Sequence, residues 1–189
     1  MNRKLLIFSI LALILAIGCG RDKRLASNPE IAIDTNYGTI ELELYRDVAP
    51  IHVDSMLSLV RGGFYNGLTF HRVIKGYMMQ GGDPNGNGSG SAGYTLPAEF
   101  SNLPHIRGTL SAARGPDINS AGCQFFICFQ PAPALDGQYT VFGMVLDGFD
   151  VMDKIENVPV KPSPFGGEES WPVNYVIIKR IRILKDVES

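Results

Sequence analysis

The chain has 189 residues, a formal charge of −2 and 45% hydrophobic residues. That is enough apolar material for one domain with a sizeable core, and the absence of a basic excess argues against nucleic acid as a partner. Its 12 prolines and 21 glycines imply many turns and favour β-structure over a helical bundle.

Arg3 and Lys4 precede a 13-residue apolar run over residues 5–17. The run is short for a transmembrane helix but suits the apolar core of a signal sequence. It ends in Ala16-Ile17-Gly18-Cys19, which resembles a bacterial lipobox, although leucine is commoner where Ala16 stands. The resemblance implies cleavage before Cys19 and lipidation of that cysteine, so the protein meets a membrane through an N-terminal lipid. A plain secretory signal or an uncleaved anchor is the other reading. Residues 1–18 are therefore expected to be a signal peptide, 19–29 a tether and 30–186 the folded domain. Gly20 follows the cysteine, so the usual inner-membrane retention aspartate is missing. The expected location is the cell envelope. That means the outer membrane facing the periplasm if there are two membranes, and otherwise the outer face of the cytoplasmic membrane.

Ile31 and Ile33 alternate with Ala32 and Asp34; beyond the turn Asn36-Tyr37-Gly38, Ile40, Leu42 and Leu44 alternate with Thr39, Glu41 and Glu43. This pattern predicts a β-hairpin with one buried face. Pro50 suits the first turn of a helix, Val53, Met56, Leu57 and Val60 form one apolar stripe, and Gly62-Gly63 ends it. Residues 70–83 read as two short strands around a Lys75-Gly76 turn. Their arginine, tyrosine, two methionines and glutamine have the composition of an apolar pocket with a few hydrogen-bonding groups at its rim. In the loop 83–93, Gly88-x-Gly90-x-x-Gly93 matches the dinucleotide fingerprint only formally, because Tyr94-Thr-Leu-Pro97 opens no helix.

Further strands are expected over 108–113, 124–129, 140–146 and 175–184, with a short helix carrying Phe149, Met152, Ile155 and Glu156. There is no βαβ alternation. The pattern predicts an all-β dominated fold, a closed eight-stranded antiparallel β-barrel capped by two α-helices. Cys123 and Cys128, on or beside one strand, should face opposite sides and remain unbridged, buried thiols. His52, His71 and His105 are dispersed, without metal-ligand spacing, and His71 reads as a buried structural residue. There is no nucleophile-elbow serine and no close carboxylate pair. No metal or cofactor is expected.

Residues 70–83, Phe-His-Arg-Val-Ile-x-Gly-Tyr-Met-x-Gln-Gly-Gly-Asp, are similar to the signature of the cyclophilins, the peptidyl-prolyl cis-trans isomerases. Gly-Thr-Leu-Ser-Ala-Ala at 108–113, Gln-Phe-Phe-Ile at 124–127, Leu-Asp-Gly at 135–137 and Val-Phe-Gly at 141–143 follow in the family's order. The resemblance implies the same eight-stranded barrel. It also implies prolyl isomerisation in envelope or secreted proteins as a folding aid, proline-containing polypeptides as partners and a monomeric state. Carried over by position, it makes Arg72 the catalytic arginine and sets Gln80 against the substrate backbone. Tyr77 stands where the family usually has phenylalanine and lines the proline pocket with Met78, Phe126 and Leu135. Ala113 lies along the groove, Arg114 follows it, and Ser89 lies near the pocket for the residue preceding proline.

Two positions depart from the family. Ala134 replaces a common tryptophan and removes an indole N–H used to hold cyclosporin, so weak cyclosporin binding is expected. Tyr139 replaces a common histidine but keeps an aromatic face and a hydroxyl on the pocket wall. The alternative function is a proline-peptide-binding module or holdase with little turnover, and a third reading is a purely structural surface lipoprotein.

Overall fold

The structure, a computed structural model, describes residues 28–186. Cys19 and the signal-peptide reading lie outside these residues. Strands β1 (Glu30–Thr35) and β2 (Thr39–Leu44) form the expected hairpin. Their alternation buries Ile31, Ile33, Ile40, Leu42 and Leu44 completely. Helix α1 (Pro50–Arg61) starts on its proline and buries Val53, Met56, Leu57 and Val60, the stripe read from the sequence. The free N–H groups of its first turn find a partner far along the chain: Ile51 and His52 donate to the Glu99 carboxylate, each at 3.0 Å. An anion at a helix N-terminus is favoured by both the unpaired donors and the helix dipole.

Strands β3 (Thr69–Ile74), β4 (Met78–Gly81), β5 (Thr109–Ala112), β6 (Phe125–Cys128) and β7 (Val141–Asp147) follow, then helix α2 (Phe149–Glu156). After a hairpin of β8 (Val160–Ser163) and β9 (Gly166–Pro172), strand β10 (Val176–Lys185) closes the barrel. The barrel order is β1-β10-β3-β4-β6-β5-β7-β2, and every pairing is antiparallel. Closure leaves no long free sheet edge among these strands. Phe125 sits at the centre, its ring edge-on to Tyr65 at 5.7 Å and to Phe70 at 5.9 Å. Cys123 and Cys128 are buried and unbridged, and burial pushes the Cys128 thiol up to about 12.

The β8–β9 hairpin differs from the sequence expectation. Residues 160–172 carry Pro162, Pro164, Gly166-Gly167 and three charges without alternation, so no periodic signal marks them. The two strands pair only with each other, and β9 packs beside β3. A second difference lies in α2, whose buried stripe is Val151, Met152 and Ile155, while Phe149 is only half-buried beneath the Arg107 guanidinium. Among the described residues no helix is long and apolar enough to cross a membrane.

The seam between β1 and β10 carries a charge cluster. Asp34 accepts from Arg180 Nε and Arg182 Nε, each at 2.8 Å, and these guanidiniums hold its carboxyl well below the usual carboxylate range. A depressed folded-state pKa contributes stability above the unfolded value, which is lost as pH falls through and below about 4. Wild-type protein should therefore lose stability below about pH 4 more steeply than Asp34→Asn, measured by urea unfolding across pH 2–7. Parallel acid limbs for the two proteins would contradict this.

Candidate active site

Alternation along four adjacent strands builds the site. Arg72 on β3 pairs across to Gln80 on β4, Gln80 to Phe126 on β6, and Phe126 to Ser111 on β5. Within β4 and β6, Met79, Phe125 and Ile127 point into the main core, whereas Met78, Phe126 and Cys128 form a separate small cluster on the other face. Tyr77, Ala113, Leu135 and Tyr139 pack against that cluster. The result is a hollow of about 140 Å³ lined by Arg72, Tyr77, Met78, Gln80, Ala113, Arg114, Phe126, Leu135 and Tyr139. Its volume suits one small ring.

The hollow's floor is held from behind. Phe126 stacks on His105 at 5.9 Å with 15° between the planes, and meets the Tyr139 ring edge-on at 5.7 Å. His105 is buried and tied at both nitrogens, to Asp136 Oδ1 at 2.9 Å and to Ser111 Oγ at 3.1 Å. The His105 backbone N–H, which donates to Asp136 Oδ1 at 2.7 Å, and then the His105 ring hold the Asp136 carboxyl below its ordinary range. A 3-10 turn over Pro133–Leu135 presents Leu135, and Ala134 beside it is exposed, with no indole over the rim. The Arg114 guanidinium lies 4.7 Å from the Tyr139 ring centre and donates to the Gln138 carbonyl through Nε at 3.1 Å and Nη2 at 3.0 Å.

Arg72 is clasped on one edge and open on the other. Its Nε donates to Glu168 Oε2 at 2.8 Å and its Nη2 to Glu168 Oε1 at 3.1 Å, a bidentate pair supplied by β9. Its Nη1 faces the hollow, 3.5 Å from Gln80 Oε1 and 4.0 Å from Met78 Sδ. Gln80 in turn donates to Gln124 Oε1 at 3.0 Å, and Gln124 donates to the carbonyls of Gly88 and Gly90 at 3.1 and 2.9 Å. A chain of amides therefore runs from the glycine loop to the arginine. Asp83, fully buried, anchors that loop by accepting from the N–H groups of Asn85, Asn87 and Gly88. No helix opens beyond the loop, and Leu96 instead bridges to Ala121.

Of the residues expected at the site, Ser89 alone stands apart from the hollow among the described residues. Its hydroxyl donates to Asn87 Oδ1 at 2.7 Å and accepts from Asn85 at 3.3 Å, which turns it back into its own loop. The neighbouring hollow of about 360 Å³ is bounded instead by the flanking Gly88 and Gly90, with Gln80, Ala113, Arg114 and Gln124. Sequence reading missed Gln124 and Glu168. Gln124 had a signal, being two residues before Phe126 at the edge of an apolar strand, hence on the same face. Glu168 had none, since it lies 96 residues from Arg72 in a stretch without periodicity.

The family model described as cyclophilin type peptidyl-prolyl cis-trans isomerase/CLD matches residues 30–183. The chain belongs to the cyclophilin family. A Synechococcus elongatus peptidyl-prolyl cis-trans isomerase is 49% identical over 115 residues, which cover 61% of this chain and 79% of that one. A probable peptidyl-prolyl cis-trans isomerase of Brucella suis is 47% identical over 145 residues, covering 69% of this chain and 74% of that one. Among solved structures, a Cryptosporidium parvum cyclophilin crystallised with the dipeptide Ala-Pro superposes with a TM-score of 0.76 at 35% identity. That match covers 83% of this chain and 99% of the other. The closed barrel and the isomerase class expected from the sequence thus agree with the cyclophilin relatives.

Proposed function

We propose that this cyclophilin accelerates Xaa-Pro rotation in envelope or secreted polypeptides, with the small hollow gripping the proline ring and Arg72 acting on the bond. The observation that carries the reading is the open Nη1 edge of Arg72, set at the rim of an apolar hollow that has Gln80 beside it. A prolyl bond rotates over a barrier of roughly 18–20 kcal/mol, and unaided exchange takes tens to hundreds of seconds. Rotation breaks amide resonance, so the nitrogen becomes pyramidal and regains a lone pair. A guanidinium N–H donated there binds the twisted state better than the planar one, which is the condition for catalysis. Arginine stays charged throughout, so the step needs no proton transfer. Gln80 and backbone groups along Ala113 and Arg114 hold the chain while Tyr77, Met78, Phe126, Leu135 and Tyr139 hold the ring.

The test is exchange NMR on a short Xaa-Pro peptide, which needs no coupled protease. Catalytic amounts of protein should raise the cis-trans exchange rate. Saturable binding without faster exchange would instead favour the peptide-binding module, and no binding at all is what a purely structural lipoprotein predicts.

The signal-like run and Cys19 support a lipid-anchored form at the cell envelope, on the outer membrane where two membranes exist; mass spectrometry of the mature N-terminus tests it. The exposed Ala134 supports weak cyclosporin binding.

Glu168 carries a further expected result. The carboxylate fixes the plane of the Arg72 guanidinium, and losing it frees a side chain whose ordering costs about 0.5–1.5 kcal/mol. Glu168→Ala should lower kcat by roughly two- to tenfold with little change in KM. Both partners are substantially exposed, so thermal stability should be unchanged. A raised kcat would show that the clasp restrains Arg72 rather than aiming it.

A further inference from the structure

The proline hollow is not the end of the groove. On the far side of the Arg72–Glu168 pair lies a further hollow of about 340 Å³. Arg72 and Gln80 line both. Its outer wall is Phe165 and Trp171 of the β8–β9 hairpin, with ring centres 5.7 Å apart, and its inner wall is His71, Asn87 and Gly88. Phe165 sits at the hairpin turn with 65% of its surface exposed. A larger hollow of about 710 Å³ continues past the same two rings and Asn87 toward Lys161 and Tyr175, itself 60% exposed. Exposed aromatic residues gathered along a groove, rather than scattered, mark a binding surface.

We propose that the β8–β9 hairpin forms a second side-chain subsite, continuous with the proline hollow, that receives an aromatic or large aliphatic residue flanking the prolyl bond of the client polypeptide. This rests on the isomerase reading above. The charges around this hollow decide the class of side chain. The Arg72 edge that faces this way is already taken by Glu168, and Glu169 next to it is exposed. Burial pushes His71 below its ordinary range, so it brings no positive charge at neutral pH. Within this hollow an acidic client residue therefore meets the Glu168 carboxylate and an Arg72 already paired to it, Lys161 lining only the larger hollow beyond, while an apolar one meets two rings. The hairpin's position, with β9 beside β3, puts those rings next to the strand that carries Arg72.

The experiment uses peptides in which the residues flanking Xaa-Pro are all alanine, or carry one Phe, Leu or Asp in turn at each of the three positions on either side. With wild-type protein, Phe or Leu at one of these positions should raise kcat/KM by roughly tenfold over alanine, and Asp should not. Trp171 is the chain's one tryptophan. The favoured peptide should therefore change its fluorescence, and the all-alanine peptide should not. In Phe165→Ala the Phe-to-Ala rate ratio should collapse toward one, and Phe165→Leu should restore part of it. Equal rates for all peptides with wild-type protein would overturn the subsite while leaving the isomerase reading intact, as would a preference that survives in Phe165→Ala. Failure to accelerate any peptide would overturn the isomerase reading and the subsite together.

Discussion

Replacing Arg72 with alanine should lower kcat/KM for an Xaa-Pro peptide at least about tenfold while leaving the barrel folded. A charge-assisted hydrogen bond contributes about 1.5–3 kcal/mol, which corresponds to roughly 10- to 150-fold in rate. The loss should fall on kcat, because the bond strengthens only as the amide twists. Arg72→Lys should recover little. Lysine keeps the charge but cannot hold a bidentate carboxylate with one edge and present a second donor edge to the substrate. Stability should move by less than about 1 kcal/mol, since the ion pair is solvent-exposed on both sides. Exchange NMR for turnover and urea unfolding for stability together check both halves. Unchanged turnover in Arg72→Ala would remove the residue from the mechanism.

The barrel was legible because its strands bury one face at a time, and period-two alternation records that directly in residues such as Ile31, Ile33, Ile40, Leu42 and Leu44. Composition pointed to a pocket along residues 70–83, but its remaining walls were legible only through the family resemblance. Tyr77, Met78, Phe126 and Leu135 look like ordinary core residues when read alone, and what sets them apart is that they belong to a second, smaller cluster on the barrel's outer face. No local pattern distinguishes an inward from an outward apolar residue when both are buried. What the sequence hid is what distance supplies: the Glu99 cap on α1, 47 residues from His52, and the Glu168 clasp on Arg72. The β8–β9 hairpin escaped for a related reason. It buries little, so nothing in its hydrophobicity announces it, and yet it borders the site on one whole side.

The glycine loop is the other border, and its anchor is the last residue of the 70–83 segment. Asp83→Ala should cost about 2–3 kcal/mol of stability and also slow turnover severalfold. The carboxylate is fully buried and accepts three backbone N–H bonds from residues 85, 87 and 88. Each such bond to a charged group contributes about 1.5–3 kcal/mol, but the loop is at the surface, so its N–H groups regain water once it opens, and the net cost is well below the sum. The loop also fits tightly around the anchor: any side chain at Gly90 would collide with Asp83 Oδ1. Asp83→Asn should recover little, because the amide offers one acceptor oxygen and turns its NH₂ toward donors. The effect on turnover follows from the amide chain. Once Gly88 and Gly90 move, Gln124 loses both carbonyl partners, Gln80 loses the side chain that orients it, and the neighbour of Arg72 is no longer fixed. Unfolding curves measure the first effect. Exchange NMR well below the unfolding midpoint measures the second, and Gln124→Ala, which leaves Asp83 in place, should reproduce the slowing without most of the stability loss. If Asp83→Ala turned over peptide at the wild-type rate, the loop would be a support for the fold alone and the amide chain would have no part in positioning Arg72.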